Sequence, residues 1–412
     1  MDHNTYYSLY IFIATISTLF GFFKYKTFLN VLSISIVIFS ISVIISIPHY
    51  IYFTSNTSVE FINLTILNSI VYILGLIFPF IIKTQWFFHI FRKIIFLFFS
   101  DFRYRSLNYK SFVFILFLLI FVFFYSLLMI NSGAGILWII SPRDAYMDYR
   151  SSSGHFYALS MWFLMFGYIY YLWFARPKYM SVTLLLLFSF LAYFLGSKGF
   201  ILYFLIVFTF YWHFLVKSLK SIHLIVFGII IFSLFLGIQL LQGTSNGFTD
   251  TIKYFIYFDT TAQFLAQFDR IGFQYGGAYL GQFWEMVPRS VYPDKPYVYG
   301  QYIIHETLDP GMLENGRARG TLKWSKYYLD FGTIGVFVVA FFSGLLKKTA
   351  YNFYLSYKNN PFAFMIMMQF GIITIFNYTN TFLFSMLLIL FLICIKIGGS
   401  YNLRRMFVMN KI

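Results

Sequence analysis

Three arginines and one lysine stand where a cation can do chemistry. Arg143, Arg150 and Arg289 lie beside Pro142, Ser151 and Pro288 in turns at the ends of helical stretches, where a planar guanidinium can grip phosphate oxygens bidentately. Lys198 belongs to Gly196-Ser197-Lys198-Gly199, a turn too short to carry the side chain far from the helices it joins. A cation fixed at that depth is either a binding group or a lysine that snorkels to lipid headgroups. The most distinctive string is Val287-Pro288-Arg289-Ser290-Val291-Tyr292-Pro293-Asp294-Lys295-Pro296, preceded by Tyr275-Gly276-Gly277 and followed by Tyr328-Leu329-Asp330-Phe331-Gly332-Thr333-Ile334-Gly335. The lone cysteine, Cys394, lies in the last hydrophobic run and excludes a disulfide framework and Cys-based zinc sites.

The elements that position these groups follow from composition. Of 412 residues, 60% are hydrophobic, 24% aromatic and 11% charged, too little polar material to wet a soluble surface. Apolar runs near twenty residues recur, each long enough to cross about 30 Å of hydrocarbon. Expected spans fall at 7–23, 28–47, 61–82, 112–130, 155–174, 180–196, 199–215, 222–241, 331–346, 361–376 and 380–396. The fold class is therefore all-α: one polytopic membrane domain over 1–412 with about eleven transmembrane helices. The net charge of +16 invites a nucleic-acid reading, but its distribution points to topology. With the N-terminus outside, the cytoplasmic segments hold nineteen basic residues, Lys24, Lys347 and Lys348 among them, against the single acid Asp101, as the positive-inside bias requires. The C-terminus is then cytoplasmic. The first span has no basic region before it, so it is expected to be a retained helix in a chain beginning near Met1.

Residues 86–100 carry Arg92 and Lys93 mid-run and suit an interfacial helix. Two outside connections have room for chemistry, a smaller loop at 131–154 and a large one at 242–330. The large loop is expected to fold over the membrane face as a lid, with short helices near 251–268 and 276–286. Its Lys253, Lys323 and Lys326 are expected to be solvated and to balance outside acids.

The pairs Pro288-Arg289, Tyr292-Pro293 and Lys295-Pro296, in a many-helix chain with arginines in two outside loops, resemble the O-antigen polymerase or oligosaccharide repeat unit polymerase (Wzy) family of bacterial surface polysaccharide synthesis. The likeness covers the topology of the whole chain and the residues of roughly 190–200 and 275–335. Some members carry Arg, ten residues, then Gly in each loop. Arg143 with Gly154 and Arg289 with Gly300 fit; Arg270 with Gly281 also fits, so the Pro-Arg string weighs more.

The resemblance implies a GT-C-like membrane glycosyltransferase in the bacterial inner membrane, active on the extracytoplasmic face. It would transfer glycan from undecaprenyl pyrophosphate to the next lipid-linked repeat unit. It implies catalytic roles for Arg143 and Arg289 and, by looser analogy, substrate binding by Arg150, Lys198, Lys295, Arg317 and Arg319. Several cations in a partly desolvated pocket would stabilise the departing pyrophosphate without metal or cofactor. Candidate bases for the acceptor hydroxyl are Asp144, Asp148, Glu285, Asp294, His305 and Glu306, with His305 preferred. Trp284 and Tyr292 are among the aromatics suited to sugar faces. Expected partners are the lipid bilayer, the undecaprenyl-pyrophosphate-linked oligosaccharide, a chain-length regulator and a flippase, with no nucleic acid.

Two other classes stay open. A flippase or transporter of lipid-linked oligosaccharide normally shows repeated halves, which this chain lacks. An O-antigen ligase would use the same kind of cation cluster, and the Pro-Arg to Lys-Pro string favours the polymerase.

Overall fold

The structure is a computed structural model that describes residues 3–52, 57–99, 110–149, 153–174, 178–196, 198–220, 257–281, 302–311, 320–358 and 361–372, with isolated positions between them that include Trp284, Val287 and 291–294. All regular structure among these residues is helical. The first ten helices are α1 (His3–Tyr25), α2 (Val31–Tyr52), α3 (Val59–Ile81), α4 (Gln85–Phe99), α5 (Lys110–Asn131), α6 (Leu137–Ile140), α7 (Pro142–Tyr149), α8 (Gly154–Phe174), α9 (Lys178–Tyr193) and α10 (Lys198–Tyr211). Beyond 256 come α11 (Tyr257–Ala266), α12 (Phe268–Ile271), α13 (Gly277–Gly281), α14 (Tyr302–Leu308), α15 (Ser325–Ser356) and α16 (Pro361–Ile366). Both α10 and α16 continue as a wider π turn, at Trp212–Val216 and Met367–Ile372.

The expected spans from 7–23 to 199–215, that at 331–346 and the 361–372 part of 361–376 overlie described helices; the end of 361–376, the last span at 380–396 and most of 222–241 lie outside the described residues. Among the described residues, four helices are long and apolar enough to cross a membrane: Asn4–Tyr25, Val59–Ile81, Gly199–Val216 and Ser325–Ser356. The chain is a multi-pass membrane protein.

Helix boundaries follow local chemistry. Asn30 caps α2, its side-chain oxygen accepting from the Ser33 N–H at 2.8 Å, which satisfies one of the donors a helix start leaves open. The pair α3 and α15 forms the spine. In lipid no hydrophobic effect draws helices together, so contact depends on small residues that let backbones meet. Gly344 lies directly against the carbonyl of Leu76, and a Cβ on Gly75 would fall 2.7 Å from the Cβ of Ala340. The pairs 75/340 and 76/344 run in the same sense, so the two helices are parallel. Two apolar cores flank them: one is built on α1 to α3, α11, α14 and the start of α15, the other on α5, α8, α9, α10 and the end of α15.

Lysines close the end of α3. Pro79 sits inside the last turn and cannot donate to the carbonyl four residues back. The Lys348 ammonium donates to the carbonyls of Pro79 at 2.7 Å and Ile82 at 2.8 Å, and Lys24 donates to that of Phe80. A cation is favoured at a helix C-terminus, where the carbonyl dipoles converge. Lys347 and Lys348, expected on the cytoplasmic side, are 2% and 8% exposed, and α15 runs to Ser356, ten residues past the expected end at 346.

The C-terminal part of the large loop also departs from expectation. It does not lie over the bundle as a lid but inserts into it. Helix α11 packs against α2 and α3, and the Leu322 N–H donates to the Thr261 hydroxyl at 2.8 Å. The Trp324 indole, fully buried, donates to the Ser69 hydroxyl at 3.0 Å, close to the middle of the 23-residue α3. Non-helical backbone at Phe331 and Gly332 (φ 61°, ψ −151°) breaks α15 there. The turn folds Ser325–Asp330 back along the helix, so that a Cβ on Gly335 would meet the Tyr327 carbonyl at 2.5 Å. Lys323, expected to be solvated, is consequently only partly exposed.

Candidate functional site

Arg143 and the Gly196 turn, 53 residues apart in sequence, are neighbours. Proline at the first position of α7 suits a helix start, and the Ser141 hydroxyl donates to the Asp144 carboxylate across the first turn. Gly196 has a φ of 65° and packs against the Pro142 carbonyl, and a Cβ there would stand 2.6 Å from the Tyr146 Cβ. Only glycine allows this approach. The half-buried Arg143 guanidinium donates from Nη1 to the Gly196 carbonyl at 3.4 Å and sits 5.3 Å from the centre of the Tyr146 ring, within cation–π range. The smaller loop is braced from below. The Tyr125 hydroxyl lies 2.9 Å from the Trp138 carbonyl and 3.3 Å from that of Phe194, and the buried Trp138 donates to Ser132 at 2.9 Å. Lys198 opens α10 directly after the turn.

The Pro-Arg string is flanked by an aromatic pair. Trp284 and Tyr292, each about half exposed, have ring centres 5.9 Å apart. Arg150, Arg289, Lys295, Arg317 and Arg319 lie outside the described residues.

The base candidates sit in different surroundings. Asp144 and Asp148 are exposed on the helix that carries Arg143, and Asp294 is exposed beside Tyr292. Glu306 accepts from the Gly311 N–H at 3.0 Å. His305, only 4% exposed, lies within α14 with its ring 6.3 Å from that of Tyr302. Glu285 lies outside the described residues. No group of three or more His, Cys, Asp or Glu among the described residues is arranged to hold a metal ion.

One organising residue escaped the sequence reading. Asp330, 2% exposed, accepts from the N–H groups of Gly276 (3.0 Å) and Ala278 (2.9 Å) on Oδ1 and of Tyr279 (2.8 Å) on Oδ2. The Gln274 N–H adds a bond to the Leu329 carbonyl at 3.0 Å. The two strings around Tyr275-Gly276-Gly277 and Tyr328-Leu329-Asp330 are thus one structure. A hint lay in Gly276-Gly277, whose backbone can present several N–H groups to one acceptor; Gly276 has a φ of 95°.

The fold and this geometry define a helical membrane protein in which Arg143 docks against the Gly196 turn. Comparison with known proteins gives it a context. The chain is 24% identical over 250 residues to proteins named O-antigen polymerase from Salmonella typhimurium and Salmonella typhi. The match covers 57% of this chain and 59% of each relative, so the chain spans well under two thirds of the length of the curated relatives it matches. That name agrees with the resemblance carried by the Pro-Arg string and the paired loops. No family model matches the chain, and no solved structure matches it.

Proposed function

We propose that this protein polymerises lipid-linked oligosaccharide repeat units in the bacterial inner membrane, for O-antigen, capsule or exopolysaccharide, on the extracytoplasmic face. The observation that carries this reading is the docking of Arg143 against the Gly196 turn, which fixes a guanidinium near the start of α10. The relatives named O-antigen polymerase lend it support.

In the proposed reaction the hydroxyl oxygen of the acceptor sugar attacks the anomeric carbon of the donor glycan. The bond from that carbon to the pyrophosphate oxygen breaks, and its electron pair leaves with the polyprenyl pyrophosphate. Arg143 and Arg289 hold the phosphates and stabilise the growing charge, with Arg150, Lys198, Lys295, Arg317 and Arg319 as further cations along the donor. Trp284 and Tyr292 offer rings to a sugar face. The hydroxyl proton passes to a base. Asp144 and Asp148 share the helix of Arg143, whereas the burial of His305 requires α14 to open before a sugar hydroxyl reaches it.

Deleting the gene and examining exported glycan tests the class. A polymerase leaves single repeats exported and attached; a flippase leaves none outside, and a ligase leaves polymer unattached. Either of the last two results would replace the proposal.

A further inference from the structure

Three lysines gather at one end of the bundle, where the spans Asn4–Tyr25 and Val59–Ile81 both finish. Lys24 lies in the last turn of α1, and its ammonium donates to the Phe80 carbonyl. Lys348 reaches across from α15 to the carbonyls of Pro79 at 2.7 Å and Ile82 at 2.8 Å. The two ammoniums thus rest on the carbonyls of consecutive residues. Lys83 follows Ile82 directly and is exposed, as is Lys24. The same helix ends meet through the Tyr25 ring, which stands edge-on to Phe80, with ring centres 6.4 Å apart, and to Tyr351, at 4.9 Å.

The C-terminus of a helix carries roughly half a negative charge, against three positive charges here. Among the described residues, the hydrogen bonds of Lys24 and Lys348 go to carbonyls and none to a carboxylate. An ammonium has three donors; Lys348 spends two on α3 and Lys24 one, so the group has both charge and donors left for an anion. Its rim is apolar and open: Phe23, Ile81 and Trp86, which adjoin these lysines and carbonyls in sequence, are each more than 60% exposed. Helix α4 leaves from the same place, its Phe91 ring 6.3 Å from that of Phe353 on α15. A soluble phosphate gains nothing from such a rim. A phospholipid uses both parts, its phosphate on the ammoniums and its apolar body beside the exposed side chains, with a tryptophan at headgroup level. We propose that Lys24, Lys83 and Lys348 form a binding site for the headgroup of an anionic phospholipid. The site goes beyond the polymerase reading and does not depend on it.

Purified full-length protein in neutral detergent is titrated with phosphatidylglycerol, with phosphatidylcholine and with inorganic phosphate, and bound lipid is read by native mass spectrometry alongside the thermal midpoint. Phosphatidylglycerol should bind saturably and raise the midpoint, phosphatidylcholine should do neither, and millimolar phosphate should not displace the bound lipid. Lys24→Gln and Lys83→Gln should each weaken phosphatidylglycerol binding about tenfold, the loss expected for a charged hydrogen bond. Lys83 caps no carbonyl, so its variant folds even where Lys24→Gln, which uncaps Phe80, does not. Lys358→Gln, at an exposed lysine ten residues beyond Lys348, should leave binding unchanged. Equal binding of the two lipids, or unchanged affinity in Lys83→Gln, overturns the proposal. So does displacement by phosphate, which marks a site for the free anion, and so does an equal loss in Lys358→Gln, which marks general attraction to a basic surface. The assay reads lipid binding rather than glycan length, so its failure leaves the polymerase proposal standing, and the converse also holds.

Discussion

The indole N–H of Trp324 donates to the hydroxyl of Ser69 at 3.0 Å, joining residues 255 apart in sequence. This one bond fixes how deep the end of the large loop reaches between α3 and α15. Trp324→Phe keeps the buried ring and removes the donor, so it should cost about 1 kcal/mol, and Ser69→Ala a similar amount. In a double-mutant cycle on thermal midpoints the two losses should not add. Full additivity would mean that the segment does not occupy this depth.

Asp330 accepts three backbone N–H groups from Gly276, Ala278 and Tyr279. Asp330→Asn keeps a carbonyl oxygen for the Gly276 and Ala278 N–H groups but removes the charge and sets an NH2 group against the Tyr279 N–H, and should cost about 2–4 kcal/mol. The stretch that leads into the Pro-Arg string should then become more sensitive to protease at 276–300. Unchanged protection would show that α13 is held by something else.

Much of this fold was legible because lipid imposes a length rule. A span needs about twenty apolar residues, and the runs at 7–23 and 61–82 fall on helices long and apolar enough to cross a membrane. Lys323 was misread because sequence distance hides depth. Between 242 and 330 polar and aromatic residues mix as they would in a loop over a membrane, and nothing local announces that Trp324 has a partner at Ser69. The burial of Lys347 and Lys348 was not legible either, because a basic pair after an apolar run does not say whether a neighbouring helix offers carbonyls, as α3 does to Lys348 through Pro79 and Ile82. At the candidate site the residue types and the Gly196 turn were visible in sequence. Its contact with Pro142 was not, because it depends on how α7 and the end of α9 pack.

Lys348 offers a test of the capping account. Lys348→Met leaves the carbonyls of Pro79 and Ile82 without their ammonium donor and should lower stability by about 1–3 kcal/mol. A stabilising Lys348→Met would contradict the capping role.

Gly196→Ala places a methyl group against the Pro142 carbonyl and within 2.6 Å of the Tyr146 Cβ. The protein should still reach the membrane, destabilised by about 1–3 kcal/mol. Polymer formation should fall on the order of 100-fold, because α7 and Arg143 shift away from the turn. Activity close to wild type would separate the turn from catalysis.

The most direct measurement of the central claim is the glycan ladder made by Arg143→Lys in cells that lack the native gene, at matched membrane levels. Lysine keeps the charge and loses the planar two-pronged donor. If Arg143 grips the pyrophosphate of the donor, exported glycan should stop at a single repeat unit. A full-length ladder from Arg143→Lys would contradict the account.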